Sequence, residues 1–225
     1  LYKIKGRTYV LGDLHGNYKG LIEVLIKCHF NYELDTLIFL GDLADGWGEA
    51  NKCVDVFLRM NNFYFVIGNH DLFLMKWLKN GIIDNRWFNF KKTLPQFTSK
   101  RNKNKLRKIL KDAKPYFILN GKMFCHGGFN PKKPLNKQKN ITYSINRRLY
   151  SISKQYENQK LKINPICKKD VTHIFIGHTP TQNHRPDFKS NLINLDTGGG
   201  SCGKLTIMDV NNFEYWQSRP SRSLY

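Results

Sequence analysis

Five short stretches hold most of the side chains that could do chemistry. They are Gly12-Asp13-Leu14-His15-Gly16, Gly41-Asp42 with Asp45, Gly68-Asn69-His70-Asp71, His126-Gly127-Gly128 and Gly177-His178-Thr179. Together they supply several carboxylates, one amide and four imidazoles. That mixture suits divalent metals of intermediate hardness, such as Mn, Fe or Zn. Carboxylates at the ends of apolar runs are costly unless a cation compensates them. The glycines let the backbone turn sharply and approach a ligand closely. One histidine after a strand is usually a hydrogen-bonded core or surface residue, and one glycine pair is usually a turn. Five such clusters in equivalent places point instead to a metal site.

The surrounding residues supply the frame. "TYVLGDLHG", "TLIFLGDLADG" and "FYFVIGNHD" each run from an apolar strand through glycine to polar residues. Helix-like patterns follow at 18–29, 48–60 and 72–78. Strands alternating with helices predict βαβ units and a mainly parallel sheet. In such sheets functional groups gather beyond the carboxyl ends of the strands. The middle is less regular, with a short basic helix over 103–111, a strand entering a glycine turn at 122–128, a loop over 130–141 and a helix over 147–156. Residues 171–180 repeat the strand, glycine and polar end. "NLINLD", "KLTIMDV" and "FEYWQS" then read as three closely spaced antiparallel strands. The expected organisation is one domain over 1–225 with a basic, cap-like insertion around 91–169.

Composition narrows the class. The 225 residues are 40% hydrophobic, enough for a sizeable core. No run of about 18 apolar residues is present, so no membrane span is expected. The first residues lack the apolar block of a signal peptide. Five cysteines with no C-x-x-C argue against a disulfide framework and for a cytoplasmic location. The formal net charge is +20, and all of it lies in 91–169, where 22 Lys and Arg face two acids. Such a block attracts phosphate-rich or acidic partners, nucleic acid among them. A Lys-rich solvated face is the plain alternative.

The order "GDLHG", "GDLAD", "GNHD", "HGG", "GHT" resembles the calcineurin-like metallophosphoesterase superfamily. More narrowly it looks like the bacterial and phage phosphoprotein phosphatases of lambda-phosphatase type, a likeness strengthened by "IFIGHTP" and "INLDTGGGSCGKLTIM". The resemblance implies an α/β fold, with two mixed β-sheets flanked by helices. It implies two divalent metal ions, Mn2+ first, with Fe or Zn as alternatives. Asp13 and His15 would bind the first ion, Asp42 would bridge both, and Asn69, His126 and His178 would complete the second. Asn69 would also meet the substrate. Two such ions can hold a bridging water, lower its pKa to give hydroxide near neutrality, and neutralise charge developing in an in-line transition state. His70 would protonate the leaving group, and Asp45 would accept a hydrogen bond from its other ring nitrogen. Many relatives continue the second motif with Arg-Gly, and that Arg grips the phosphate. Here Gly46-Trp47 follows, so the contact must be rebuilt, and Arg147 rather than Arg148 of "INRRLY" is the candidate.

Three functions compete at this level. The preferred one is a metal-dependent phosphatase acting on phospho-Ser/Thr, and also phospho-Tyr, proteins or peptides. The second is a dinucleoside polyphosphate hydrolase or RNA-end phosphatase, which the basic middle would suit. The third is a basic nucleic-acid-binding module with a vestigial site.

Overall fold

The computed structural model describes residues 6–83, 90–164 and 170–225. Cys167, the first five residues and the last two lysines of the basic segment lie outside them. Among the described residues, ten short strands form two five-stranded sheets. In the first sheet β1 (Thr8–Leu11) pairs in parallel with β2 (Thr36–Phe39), and β2 pairs in parallel with β3 (Asn62–Phe65). β1 and β2 are buried along their whole length, so they read as unbroken apolar runs. On the other side of β1, β9 (Thr206–Asp209) and β10 (Tyr215–Gln217) add antiparallel strands.

The second sheet runs β4 (Tyr116–Leu119), β5 (Lys122–Cys125), β6 (His173–Ile176), β8 (Leu192–Asn194) and β7 (Asp187–Lys189). The inner faces meet through Val10, Ile38 and Val66 of one layer and Phe124, Phe175 and Ile193 of the other. Helices close the outer faces. Over the first lie α1 (Tyr18–Lys27), α2 (Ala50–Phe57) and α5 (Lys100–Leu110), with α3 (Asn69–Asn80) and α4 (Phe90–Thr93) beside them. Over the second lie α6 (Asn140–Ile145) and α7 (Arg148–Asn158). The result is the expected pair of mixed sheets flanked by helices. α5 shows why: Leu106, Ile109 and Leu110 are buried on one side, and its many bases occupy the rest.

Two readings change. β8 does not join β9 and β10; it pairs in parallel with β6, across the sandwich. Strand-like runs encode their own extension, while their partner depends on which face they bury. The helix after β3 begins at Asn69 rather than 72, because Asp71 accepts a hydrogen bond from the Gly68 amide (2.8 Å) and closes the first turn early. Within 91–169, β4 and β5 are built into the second sheet. No helix of the described residues is long and apolar enough to cross a membrane.

Candidate active site

All five clusters follow strands at the same edge of the sandwich: β1, β2 and β3 from one sheet, β5 and β6 from the other. The loops are stitched together before any ligand is considered. The Leu14 and His15 amides donate to the Asp42 carbonyl (3.3 and 2.7 Å), and Gly16 N donates to Leu43 O (2.7 Å). His15, Asp42, Asp45 and His178 all have positive φ, at 48°, 59°, 78° and 68°. Left-handed backbone at such residues costs of order 1–3 kcal/mol each and persists only where surroundings over-determine it.

Asp71 is one of those determinants, and no role was expected for it. Its buried carboxylate accepts from Asp42 N (2.8 Å), Leu43 N (2.9 Å) and Gly68 N (2.8 Å). It thereby holds two of the loops in register. Burial and the neighbouring Asp42 push its pKa up to about 6 against those amides. The only sequence signal was its place in the Gly-Asn-His-Asp cluster.

Asp42 is the centre of the site. Its Oδ2 lies 3.3 Å from His126 Nε2, 3.5 Å from His15 Nε2 and 3.9 Å from His70 Nε2. Its Oδ1 accepts from the His70 amide (3.0 Å). Among the described residues two groups able to hold a metal ion result, His15–Asp42–His70 and Asp42–His126–His178, and Asp42 belongs to both. Each imidazole is aimed from behind. His126 Nδ1 meets Leu40 O at 2.8 Å and His15 Nδ1 meets Ala44 O at 3.0 Å, which leaves Nε2 of each facing the carboxylate. Asn69 Oδ1 lies 3.2 Å from His126 Nε2.

Asp13 stands outside both groups but against them. Its Oδ2 accepts from the His178 amide (3.0 Å), while the buried Oδ1 has no hydrogen-bond partner among the described residues. Any Cβ at Gly177 would come within 2.0 Å of that oxygen, so glycine there makes room for the carboxylate. A buried carboxylate oxygen without a donor is costly, and a cation held beside it would satisfy it.

The electrostatics agree. Burial drives the Asp13 carboxyl well above the usual carboxylate range, and Asp196 adds to it. Burial opposes charge on His126, but Asp42 and Asp13 outweigh it and raise His126 to about 10. Burial and the nearby His126 lower His178 to about 3. Buried carboxylates and imidazoles that push one another's pKa values apart in both directions form a cluster whose charge divalent cations would compensate. The donor set of carboxylate, amide and imidazole therefore fits such ions.

His70 faces the cluster from α3, with Nδ1 2.6 Å from Asp45 Oδ2. Burial works against its protonation, yet Asp42 and Asp45 together raise its pKa. Arg147 Nε donates to His178 Nε2 (3.1 Å), whereas Arg148 lines a neighbouring cavity. Cys125 is fully buried, and burial raises its thiol pKa, so it is no nucleophile.

Gly46 has a steric reason. A Cβ there would lie 2.7 Å from both the Cβ and the carbonyl oxygen of His15. Gly46→Ala is expected to displace His15 and weaken divalent-metal binding, with the fold retained. Metal titration of the variant checks this; wild-type affinity would mean that the His15 loop has slack.

Residues 6–215 match the calcineurin-like phosphoesterase (Metallophos) family, and the chain belongs to it. That match does not single out the lambda-phosphatase branch. Among similar curated proteins, the symmetrical bis(5'-nucleosyl)-tetraphosphatase of Vibrio vulnificus (strain CMCP6) is 30% identical over 130 residues, covering 56% of this chain and 45% of the relative. That of Salmonella paratyphi B (strain ATCC BAA-1250 / SPB7) is 42% identical over 69 residues, covering 30% and 24%. The chain thus aligns with less than half the length of these relatives. Among solved structures, a candidate diadenosine tetraphosphatase superposes with a TM-score of 0.69 at 19% identity, over 98% of this chain and 96% of that one. The cold-active protein-tyrosine phosphatase of a Shewanella species gives 0.58 at 16% identity, over 96% and 81%. At these identities the likeness is one of fold.

Proposed function

We propose that this protein is a metal-dependent phosphoesterase that hydrolyses dinucleoside polyphosphates. The observation that carries the reaction class is Asp42, a buried carboxylate common to two groups able to hold metal ions. The substrate class rests on the relatives, whose names specify symmetrical tetraphosphatases. This displaces the phosphoprotein reading, which only fold-level neighbours favour. The complete pair of His/Asp groups argues against a vestigial site.

Asp42 would be shared by the two ions, with Asp13 and His15 on one side and Asn69, His126 and His178 on the other. Divalent ions held there would supply Lewis-acid neutralisation of phosphoryl charge and activation of water. The chain's own residues do the rest. His70, held by Asp45, presents Nε2 as the proton donor to the leaving oxygen. Asp45 fixes the ring and favours its charged form. Arg147, which donates to His178 Nε2 here, would leave that nitrogen once His178 holds an ion, and would then meet the phosphoryl oxygens that an arginine at position 46 could not reach without displacing His15.

Symmetrical cleavage adds one water across the central P–O–P bond of a dinucleoside tetraphosphate and gives two nucleoside diphosphates. Metal-stripped protein is expected to do this once Mn2+ is restored, and to favour that substrate over phosphopeptide and 5'-phosphorylated RNA. Turnover of phosphopeptide alone would return the phosphoprotein reading; preference for RNA ends would favour an RNA-end phosphatase.

Arg147→Lys is expected to raise KM and lower kcat, because an arginine fork binds two phosphoryl oxygens and an ammonium does not. Unchanged steady-state constants would remove Arg147 from the phosphate site.

A further inference from the structure

A cavity of about 210 Å³ opens beside the metal-type cluster, and the chemistry above does not use it. One wall is the chain leaving His126: Phe129, Asn130, Pro131 and Lys132. The other is the start of α7. Arg148, Ile152 and Tyr156 all line it. They stand four residues apart and therefore share one helix face.

The cavity and the cluster are adjacent parts of one surface. A Cβ on Gly127 would lie 2.9 Å from Asn146 N and 3.2 Å from His178 Cδ2, so the segment entering α7 rests directly on the His126 turn. Asn146 lines the cavity; the next residue, Arg147, bonds to His178; Arg148 lines the cavity again. The two arginines thus straddle a boundary, one serving the cluster and one the cavity.

The lining has a definite character. Phe129, Leu149, Ile152 and Tyr156 supply its apolar surface, and Phe129 and Leu149 are fully buried. Arg148 and Lys132 are exposed, and neither has an ion-pair partner among the described residues. Ligand sites commonly have 300–1,000 Å³, so about 210 Å³ suits one ring system rather than a whole ligand or a peptide segment. A flat aromatic group with an anionic tail suits this mixed lining, with Phe129, Leu149, Ile152 and Tyr156 for the ring and Arg148 and Lys132 for the tail.

We propose that this cavity is the subsite for one nucleoside of the substrate. The base lies between the 129–132 loop and α7, and Arg148 and Lys132 take the phosphate of that half. The neighbouring phosphates then run toward Arg147 and the metal-type cluster. This rests on the dinucleoside polyphosphate reading, and it gives Arg148 a function where solvent exposure alone had been expected.

The test is direct binding together with substrate preference. Calorimetry with ADP on the metal-free chain should detect binding. Ile152→Trp, which fills the slot, and Arg148→Glu, which reverses the charge at its mouth, should each weaken that binding about tenfold or more, as pocket contacts of this kind do. In both variants the preference for diadenosine tetraphosphate over p-nitrophenyl phosphate, which carries no nucleoside, should fall by a similar factor through KM. Circular dichroism shows whether Ile152→Trp folds; Arg148→Glu, a surface change, carries the test if it does not. If ADP fails to bind, or binds both folded variants as it binds the wild type, the subsite is wrong even where the tetraphosphate is hydrolysed. If ADP binds in the slot but the tetraphosphate is not cleaved, the subsite stands and the substrate reading fails.

Discussion

Asp42→Asn is expected to abolish hydrolysis and to lose metal from both groups at once. The reason is its position: one carboxylate within 3.3–3.9 Å of three imidazoles, belonging to both candidate metal groups. A neutral amide is a far weaker ligand, and no other side chain in the cluster is shared in this way. The fold should survive. The Asp42 amide is held by Asp71, and its carbonyl by the His15 loop, and neither depends on the side-chain charge. His126, raised by Asp42 and then Asp13 against its burial, would then hold its proton less tightly. Thermal unfolding provides a second readout. Metal at 100 times its dissociation constant stabilises a folded protein by about 2.7 kcal/mol through mass action. The wild type should show such a gain with Mn2+, and Asp42→Asn should show little of it. Full metal content with full activity in the variant would overturn the assignment.

His70→Asn should lower turnover by roughly 10²–10⁴, the range for loss of a general acid, with metal content nearly unchanged. The size should depend on the leaving group. A nucleoside diphosphate leaves with a terminal phosphate oxygen whose conjugate acid has a pKa near about 6, as phosphate monoesters do. An alkoxide leaving from a phosphoserine needs its proton far more. The loss should therefore lie toward the lower end for diadenosine tetraphosphate and toward the upper end for an alkyl phosphate. Asp45→Asn should follow the same ranking more weakly, since it acts through the 2.6 Å contact to His70 Nδ1. A uniform loss that tracks metal content would make His70 a ligand, as its place in the first metal-type group also allows.

The composition of the site was legible in the sequence because each part of it is local. A strand, a glycine and a polar end occupy fewer than a dozen residues, and the side chains at that end are set by the same short stretch. Asp13, His15, Asp42, Asn69, His70, His126 and His178 could all be picked out before any fold was known. Their convergence follows once the strands lie side by side. Strand membership was less legible. Residues 192–194 and 206–209 look alike as extended apolar runs, yet one pairs with β6 and the other with β1. The choice depends on which inner face each run buries, and that is a property of the assembled layers. The finer points of the site were decided in the same way. Asp71 became a clamp because two loops distant in sequence bring three amides to it. Gly46 excludes a side chain because His15 occupies the space beside it. Arg147 and Arg148 are neighbours of identical chemistry, and only the packing of α7 against the His126 turn sends one to the cluster and the other to the cavity. Residue type and short spacing determine what chemistry is available. Burial and close approach between distant segments determine which groups meet, because those energies exist only after the chain has closed on itself.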